Sequence, residues 1–245
     1  MKTHLLSLAT ALVSAQSIYT SGHGDIGLAY EDGQLIPHWH LDNGAIVDGE
    51  PLPDSGGEGH EYAPGDLIAQ VSSLRNSASN SSTYLGVSTG TPIYVAGLLN
   101  FQPYLGFGTE ELNPLEWTGD ITVTLTGFTT PNGGEFALYT TNTAGTNTVD
   151  ITLSSYDPSS ANSWGLGDNI FGIGVGGHDH YQFGFTTPGE YSLTLQFSGL
   201  HNTDSLVTSS GTFNFNVVPE PSTYVLLALG LSIIAYRHVR RRRTT

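Results

Sequence analysis

The feature that most constrains the fold is an alternation of apolar and polar side chains with a period of two residues. It recurs in three runs of the chain: Ile121 to Leu125, Tyr191 to Phe197 and Phe213 to Val217. A strand with one buried face has this period, whereas a helix repeats every 3.6 residues. Turn signals such as Asp32-Gly33 and Pro188-Gly189 separate such runs at intervals of about ten residues. We therefore predict an all-β fold, an antiparallel β-sandwich of the immunoglobulin or jelly-roll kind.

Two stretches between the predicted strands are long and polar. Asn43 to Gly65 is acidic and rich in glycine and proline, and Asn76 to Thr91 is rich in serine and asparagine. Loops of this length in a compact domain are usually functional or disordered. We expect both stretches to form long surface loops, the first of them acidic.

The N-terminal residues indicate export. Lys2 and His4 precede an apolar stretch from Leu5 to Ser14, and Val13-Ser14-Ala15 suits cleavage by signal peptidase. This order of a positive region, an apolar region and small residues is typical of a secretory signal peptide. We predict that residues 1–15 are the signal peptide, that the mature chain starts at Gln16, and that the β-sandwich domain spans residues 16–217.

The C-terminal residues 218–245 carry a second signal. A helix over the apolar run Tyr224 to Tyr236 covers roughly 20 Å, so it needs its flanks to cross a bilayer core of about 30 Å. We predict a transmembrane helix over residues 222–239, with the arginines on the cytoplasmic side. The elements that bracket it are Pro219, Glu220 and Pro221 before it and Arg240, Arg241, Arg242 and Arg243 after it.

A proline-glutamate-proline triplet, a short span and an arginine finish, in that order, resemble the PEP-CTERM sorting signal. The resemblance implies recognition by an exosortase in the inner membrane. It also implies onward transfer to the cell surface or extracellular matrix of a Gram-negative-type bacterium.

The charge of the chain changes sharply once both ends are set aside. Between Gln16 and Val218 there are 21 acidic residues and one basic residue, Arg75, which gives a formal net charge of −20. Such a surface repels phosphate backbones and excludes nucleic acid as a partner. It favours cations, divalent metals included, and it equally serves solubility. The chain has no cysteine, which excludes disulfides, thiolate metal sites and a cysteine nucleophile.

The histidines between the two signals form a pattern that suits metal binding. His38 and His40 make one His-x-His pair on a predicted strand, and His178 and His180 make another. Each pair points two imidazoles to one face about 7 Å apart at the Cα atoms, which suits two ligands of one ion. A single such pair is more often a polar sheet face. The remaining ligands must come from elsewhere, and the candidates are His23 with Asp25, or His60.

Imidazole with carboxylate suits Zn²⁺ best among common metals, with manganese, iron or nickel also possible. His201 follows the strand from Tyr191 to Phe197 and is expected at the surface or in a loop.

Several segments together resemble the choice-of-anchor M domain. They are His178 to Tyr191, Gly22 to Gly27, Tyr30 to Gly33, Leu105 to Leu112, Trp117 and Gly133 to Tyr139. The family comprises bacterial surface proteins with differing anchors, and its association with metal-type ABC transporters in Gram-positive members implies a metal-related role. The resemblance implies a metal site at His23, Asp25, His178 and His180, while the residue pattern alone leaves His38, His40 and His60 as weaker candidates. This chain has Phe183 where the family pattern has tryptophan.

The first functional hypothesis is a non-catalytic, surface-anchored β-sandwich protein that binds a divalent metal through clustered histidines. The alternative is a structural, adhesive or glycan-binding protein of the extracellular polymer or biofilm matrix, with extracellular polysaccharide as its partner. We do not expect an enzyme, because the sequence contains no nucleophile elbow, no HExxH motif and no phosphate-binding loop.

Overall fold

The computed structural model describes residues 15–77, 84–97, 102–141, 149–155, 170–219 and Ser232. Apart from a 3-10 helix at Pro114–Glu116 and single helical residues at Tyr84 and Ser232, the elements of this part of the chain are β-strands, so the predicted all-β fold is confirmed. The strands are β1 (Ser17–Glu31), β2 (Gln34–Leu41), β3 (Ile46–Val47), β4 (Glu50–Pro51), β5 (His60–Tyr62), β6 (Leu67–Val71), β7 (Leu74–Asn76), β8 (Pro92–Ala96), β9 (Pro103–Gly108), β10 (Trp117–Thr129), β11 (Phe136–Thr141), β12 (Val149–Ser154), β13 (Ile170–Ile173), β14 (His178–His180), β15 (Gln182–Phe185), β16 (Gly189–His201) and β17 (Ser205–Val217).

The strands form two sheets. The larger has the order β13-β10-β16-β17-β6-β1-β2-β5, with β9 and β14 added beside β1, and the short strands β3 and β4 also joined to it. The smaller has the order β12-β11-β15-β8-β7. Phe183 of β15 packs between the sheets, with its ring 6.0 Å from that of Phe107 and 5.6 Å from that of Phe215. Such packing of apolar faces against each other agrees with the predicted sandwich.

The prediction of a purely antiparallel sandwich is wrong. Strand β6 runs parallel to both β1 and β17, and β9 runs parallel to β1. The alternation of apolar and polar residues reports which face of a strand is buried. It does not report the direction of the neighbouring strand, because parallel and antiparallel strands share the same period.

Strand β1 changes partners along its length. Ser17 to Tyr19 pairs with β6, whereas Gly22 to Gly27 pairs with β9. Gly22 lies at the change with φ of +104°, and a Cβ there would come within 2.6 Å of Ala45 Cα. The predicted hairpin at Asp32-Gly33 is confirmed, since both residues have positive φ and join β1 to β2 as a tight two-residue turn.

Two placements in the fold are not evident from the sequence pattern. The His-x-His strand at His178 stops at Tyr181, where β14 ends in the larger sheet and β15 begins in the smaller. All of Gln182–Phe185 is buried, so alternation fails where the chain crosses the core. His201 was expected at the surface, yet it ends β16 with only 7% of its area exposed. Its ring packs between those of Tyr30 and Trp117.

The predicted loops and end segments are only partly within the described residues. The stretch 43–65 carries β3, β4 and β5 and is therefore more ordered than a loop, while residues 78–83 of the second stretch lie outside. The signal peptide lies outside except for Ala15, and so does the predicted transmembrane segment except for Ser232. In the described part of the chain, no helix has the length and apolar character needed to cross a bilayer.

Candidate metal centre

Five strands in the order β14-β9-β1-β2-β5 carry the candidate site on one face. Asp25 of β1 pairs with His40 of β2 and, on its other side, with Gly106 of β9. Gly106 in turn pairs with His180 of β14. Because paired residues project on the same side of a sheet, one face of these strands, here called the histidine face, carries His23, Asp25, His38, His40, His178 and His180. The opposite face packs into the core through side chains such as Ile26, Trp39 and Phe107.

The structure brings three of the predicted ligands together. One side-chain nitrogen from each of His23, His178 and His180 lies within 4.8 Å of the others. The Nε2 atoms of His23 and His180 are 3.2 Å apart. Two nitrogens bound to one tetrahedral zinc at about 2.0–2.1 Å lie about 3.3 Å from each other. The spacing of this pair therefore matches that of two ligands on one ion.

The other ring nitrogen of each histidine faces an acceptor. His180 Nδ1 donates to the Leu105 carbonyl at 3.2 Å, and His178 Nδ1 lies 2.5 Å from Glu110 Oε1. His23 Nδ1 lies 3.0 Å from Asp42 Oδ2, at ion-pair distance although not aligned as a hydrogen bond. Such outer partners fix the ring and the tautomer of metal-binding histidines. They leave Nε2 of each ring available as a ligand.

Asp25 lies beside this group as a buried carboxylate. Only 2% of the residue is exposed, and its Oδ1 has no hydrogen-bond partner among the described residues. Its Oδ2 is 3.7 Å from His23 Nε2. Burial raises the pKa of Asp25 to about 6, and the neighbouring His23 opposes that shift. A buried and unpartnered carboxylate is costly, and a cation bound between Asp25 and the histidines would remove that cost.

The protonation of the two β14 histidines differs with their surroundings. Burial lowers the pKa of His180, and the nearby His23 and His178 lower it further, so this ring favours the neutral form that binds metal. Burial also acts to lower the pKa of His178, but the hydrogen bond and the charge of Glu110 outweigh it and raise that pKa.

Strand β9 and the turn after it provide space for the site and hold some of its side chains in place. A Cβ at Gly106 would lie 2.4 Å from Asp25 Oδ1, so only glycine leaves room for this carboxylate. The Tyr104 ring stacks on His180 with centroids 3.9 Å apart. Thr109 anchors the turn that bears Glu110 and Glu111, because its hydroxyl donates to the carbonyl of Gly174 at 2.7 Å.

A second cluster lies on the same face, over β2 and β5. It comprises His38, His40, Glu61 and Glu111, whose ligand atoms lie within 4.8 Å of one another. Hydrogen bonds from His38 and then His40 lower the pKa of Glu111 to about 2. The hydrogen bond to Glu111 raises the pKa of His40 against the effect of burial. For His38, burial alone would lower the pKa, but Glu111 and the Ile36 carbonyl raise it.

Other predicted residues stand apart from both clusters. His60 Nε2 donates to the Pro53 carbonyl at 2.9 Å and joins neither group. Pro219 is exposed at the end of the described chain, while Glu220, Pro221 and the arginines Arg240 to Arg243 lie outside the described residues.

Sequence reasoning missed the acidic partners Asp42, Glu110 and Glu111 and the stacking Tyr104. The available signal was the acidic pair Glu110-Glu111 directly after a strand that alternates glycine with large residues, Leu105-Gly106-Phe107-Gly108. A strand with glycines on one face leaves space there for side chains from its neighbours. An acidic turn at the end of such a strand was therefore a candidate source of ligands.

Comparison with known families identifies the C-terminal segment. A family model described as the PEP-CTERM protein-sorting motif matches residues 217–243. This motif implies processing by an exosortase and export to the cell surface or extracellular space of a bacterium. Comparisons with curated proteins and with solved structures gave no match. The resemblance to the choice-of-anchor M family gains no support from these comparisons and stays a prediction.

Proposed function

We propose that this exported surface protein binds one divalent transition metal ion, with zinc the best match, through His23, His178, His180 and Asp25. The observation that carries the proposal is the convergence of three imidazoles whose Nδ1 atoms all face acceptors. One nitrogen of each ring lies within 4.8 Å of the others, and His23 Nε2 lies 3.7 Å from the buried carboxylate of Asp25.

The contact between His23 and His180 can be bridged either by a proton or by a metal ion. With the Nδ1 proton of His180 donated to Leu105, its Nε2 carries a lone pair directed at His23. Two nitrogen lone pairs cannot approach to 3.2 Å unless a proton or a metal ion lies between them. A metal ion would satisfy both nitrogens in place of that proton.

The ligand set favours zinc and a non-catalytic role. Three imidazoles and one carboxylate are borderline ligands that zinc accepts in tetrahedral geometry. Asp25 lies outside this group of mutually close ligand atoms, so its carboxylate must move toward the ion to act as fourth ligand. The site then has no open position for water or substrate, as in structural zinc sites. The acidic surface would raise the local concentration of divalent cations near it. The resemblance to the choice-of-anchor M family points to the same metal-related role.

The alternative of a glycan-binding or adhesive protein of the extracellular polymer layer has less support. The large apolar side chains that are exposed in the described part of the chain are isoleucines and leucines, not aromatics. Trp39 and Trp117 are buried, so neither offers the flat aromatic surface on which sugars stack. Selective binding on a glycan array would favour this alternative over metal binding.

The proposal is tested by zinc binding to the purified full-length chain. At a free zinc concentration 100 times the Kd, one site adds about 2.7 kcal/mol of stability. For a domain of this size that gain raises the melting temperature by roughly 5–10 °C. His180→Ala should remove the part of the rise that this site contributes, whereas His60→Ala, outside both clusters, should keep the full rise. An equal melting temperature with zinc and with chelator in the wild type would refute the proposal.

A further inference from the structure

We propose that the histidine face holds a second, separate divalent metal site formed by His38, His40, Glu111 and Glu61. It shares no ligand with the site at His23, His178 and His180. The inference therefore goes beyond the proposed function and does not depend on it.

The second site is centred on one carboxylate oxygen. His38 Nε2 lies 3.0 Å and His40 Nδ1 lies 3.2 Å from the same atom, Glu111 Oε1. The Nδ1 of His38 is 3.0 Å from the Ile36 carbonyl, to which it donates. Its Nε2 therefore meets the Glu111 carboxylate either as the N–H of an imidazolium or through a metal ion that takes the place of that proton.

Burial holds the His38 ring in its position against Glu111. The residue is 3% exposed, so its ring cannot turn to water to satisfy Nε2. Long polar side chains on an open sheet face gain little by converging, because water satisfies them equally well. A buried imidazole aimed at a carboxylate is instead typical of a metal ligand or of a buried ion pair.

Two glycines keep space around the ring nitrogens. A Cβ at Gly27 would come within 2.5 Å of His38 Nε2, and a Cβ at Gly59 within 2.2 Å of His40 Nε2. Glu61 pairs with His40 across β2 and β5 and supplies a second carboxylate on the same side. The side chain of Glu111 is 35% exposed, which gives an ion a path from solvent.

The two sites differ in the ions they suit. The first is rich in nitrogen, whereas the second offers two imidazoles and two carboxylates. A mixed set of this kind accepts zinc but also suits Mn²⁺ and Fe²⁺, which prefer more oxygen ligands. We therefore expect Mn²⁺ to bind more tightly to the second site than to the first.

The test is the metal stoichiometry of the full-length chain after equilibrium dialysis, first against Zn²⁺ and then against Mn²⁺. The wild type should bind two zinc ions per chain. Glu111→Gln should bind one and lose the bound Mn²⁺, while His180→Ala should bind one and keep the Mn²⁺. Glu50→Gln, an exposed carboxylate on β4, is the matched control and should still bind two.

The outcomes separate the two proposals. The second site would be overturned if Glu111→Gln still bound two zinc ions. It would also be overturned if the wild type bound one zinc ion and Glu111→Gln bound it equally well. One zinc ion in the wild type that disappears in Glu111→Gln but persists in His180→Ala would support it and refute the first site. Should Glu111→Gln fail to fold, Glu61→Gln replaces the other carboxylate ligand and should weaken Mn²⁺ binding at least about tenfold. Unchanged Mn²⁺ affinity in that variant would count against the site.

Discussion

Asp25 is the residue at which stability and the proposed function oppose each other most directly. Its carboxylate is buried, and one oxygen has no partner among the described residues. Burial raises its pKa to about 6 from a usual value near 4, so the folded protein loses stability as pH rises through that range. A residue that costs the metal-free fold stability and lies beside three histidines fits a role in binding.

Replacing Asp25 with asparagine should stabilise the metal-free protein and weaken zinc binding. Above pH 6 we expect a gain of about 1–2 kcal/mol in the free energy of unfolding, less than the pKa shift alone implies because the amide stays buried. Below about pH 4 the gain should vanish, since Asp25 is then protonated in both the folded and unfolded states. Zinc affinity should fall at least about tenfold.

Urea unfolding of metal-free protein between pH 4 and 8 and zinc titration measure the two effects. Asp179→Asn is the matched control, because Asp179 is exposed and lies between the two histidines of β14. It should change neither quantity much. A wild type and Asp25→Asn variant with equal stability at pH 7.5 would contradict the account of Asp25.

At the scale of elements, the site depends on β9, which separates β1 from β14. The alternation of each His-x-His pair predicts that its two imidazoles share a face. Their rings indeed lie 6.0 Å apart for His38 and His40, and 5.2 Å apart for His178 and His180. The parallel pairing of β9 with β1 has no local signal, because it joins segments about 80 residues apart. The meeting of His23 with His180 could therefore not be derived from spacing alone.

The two glycines of β9 that face the site should differ in their tolerance of a methyl group. Gly106→Ala places a Cβ 2.4 Å from Asp25 Oδ1 and 2.6 Å from the Asp179 carbonyl oxygen, whereas at Gly108 the nearest atom is Glu110 Oε2 at 3.3 Å. We expect Gly106→Ala to cost about 1–3 kcal/mol and to remove the part of the zinc-dependent rise in melting temperature that comes from the site at His23, His178 and His180. Gly108→Ala should keep that rise, because the Glu110 side chain can move aside.

Differential scanning calorimetry with and without zinc compares the two variants directly. Equal zinc responses in Gly106→Ala and Gly108→Ala would mean that the space over Asp25 does not matter for binding.

At the scale of the whole molecule, the sequence predicts the fold class and the export destination better than it predicts the metal site. The alternation in β10, β16 and β17 is enough to predict strands, and residues 217–243 match a sorting motif. The burial of His201 and the division of the chain at Tyr181 are tertiary effects, because they depend on which strands come to lie beside these residues. The acidic turn at Glu110 and Glu111 contributes to the site only through the folded position of β9.

The most direct test of the central claim is a crystal structure of the zinc-soaked protein with anomalous data collected on both sides of the zinc absorption edge. The account predicts an anomalous peak about 2.0–2.1 Å from the Nε2 atoms of His23, His178 and His180. Data from protein carrying His180→Ala should lack that peak. Zinc-saturated wild-type crystals with no anomalous peak among these three histidines would contradict the account.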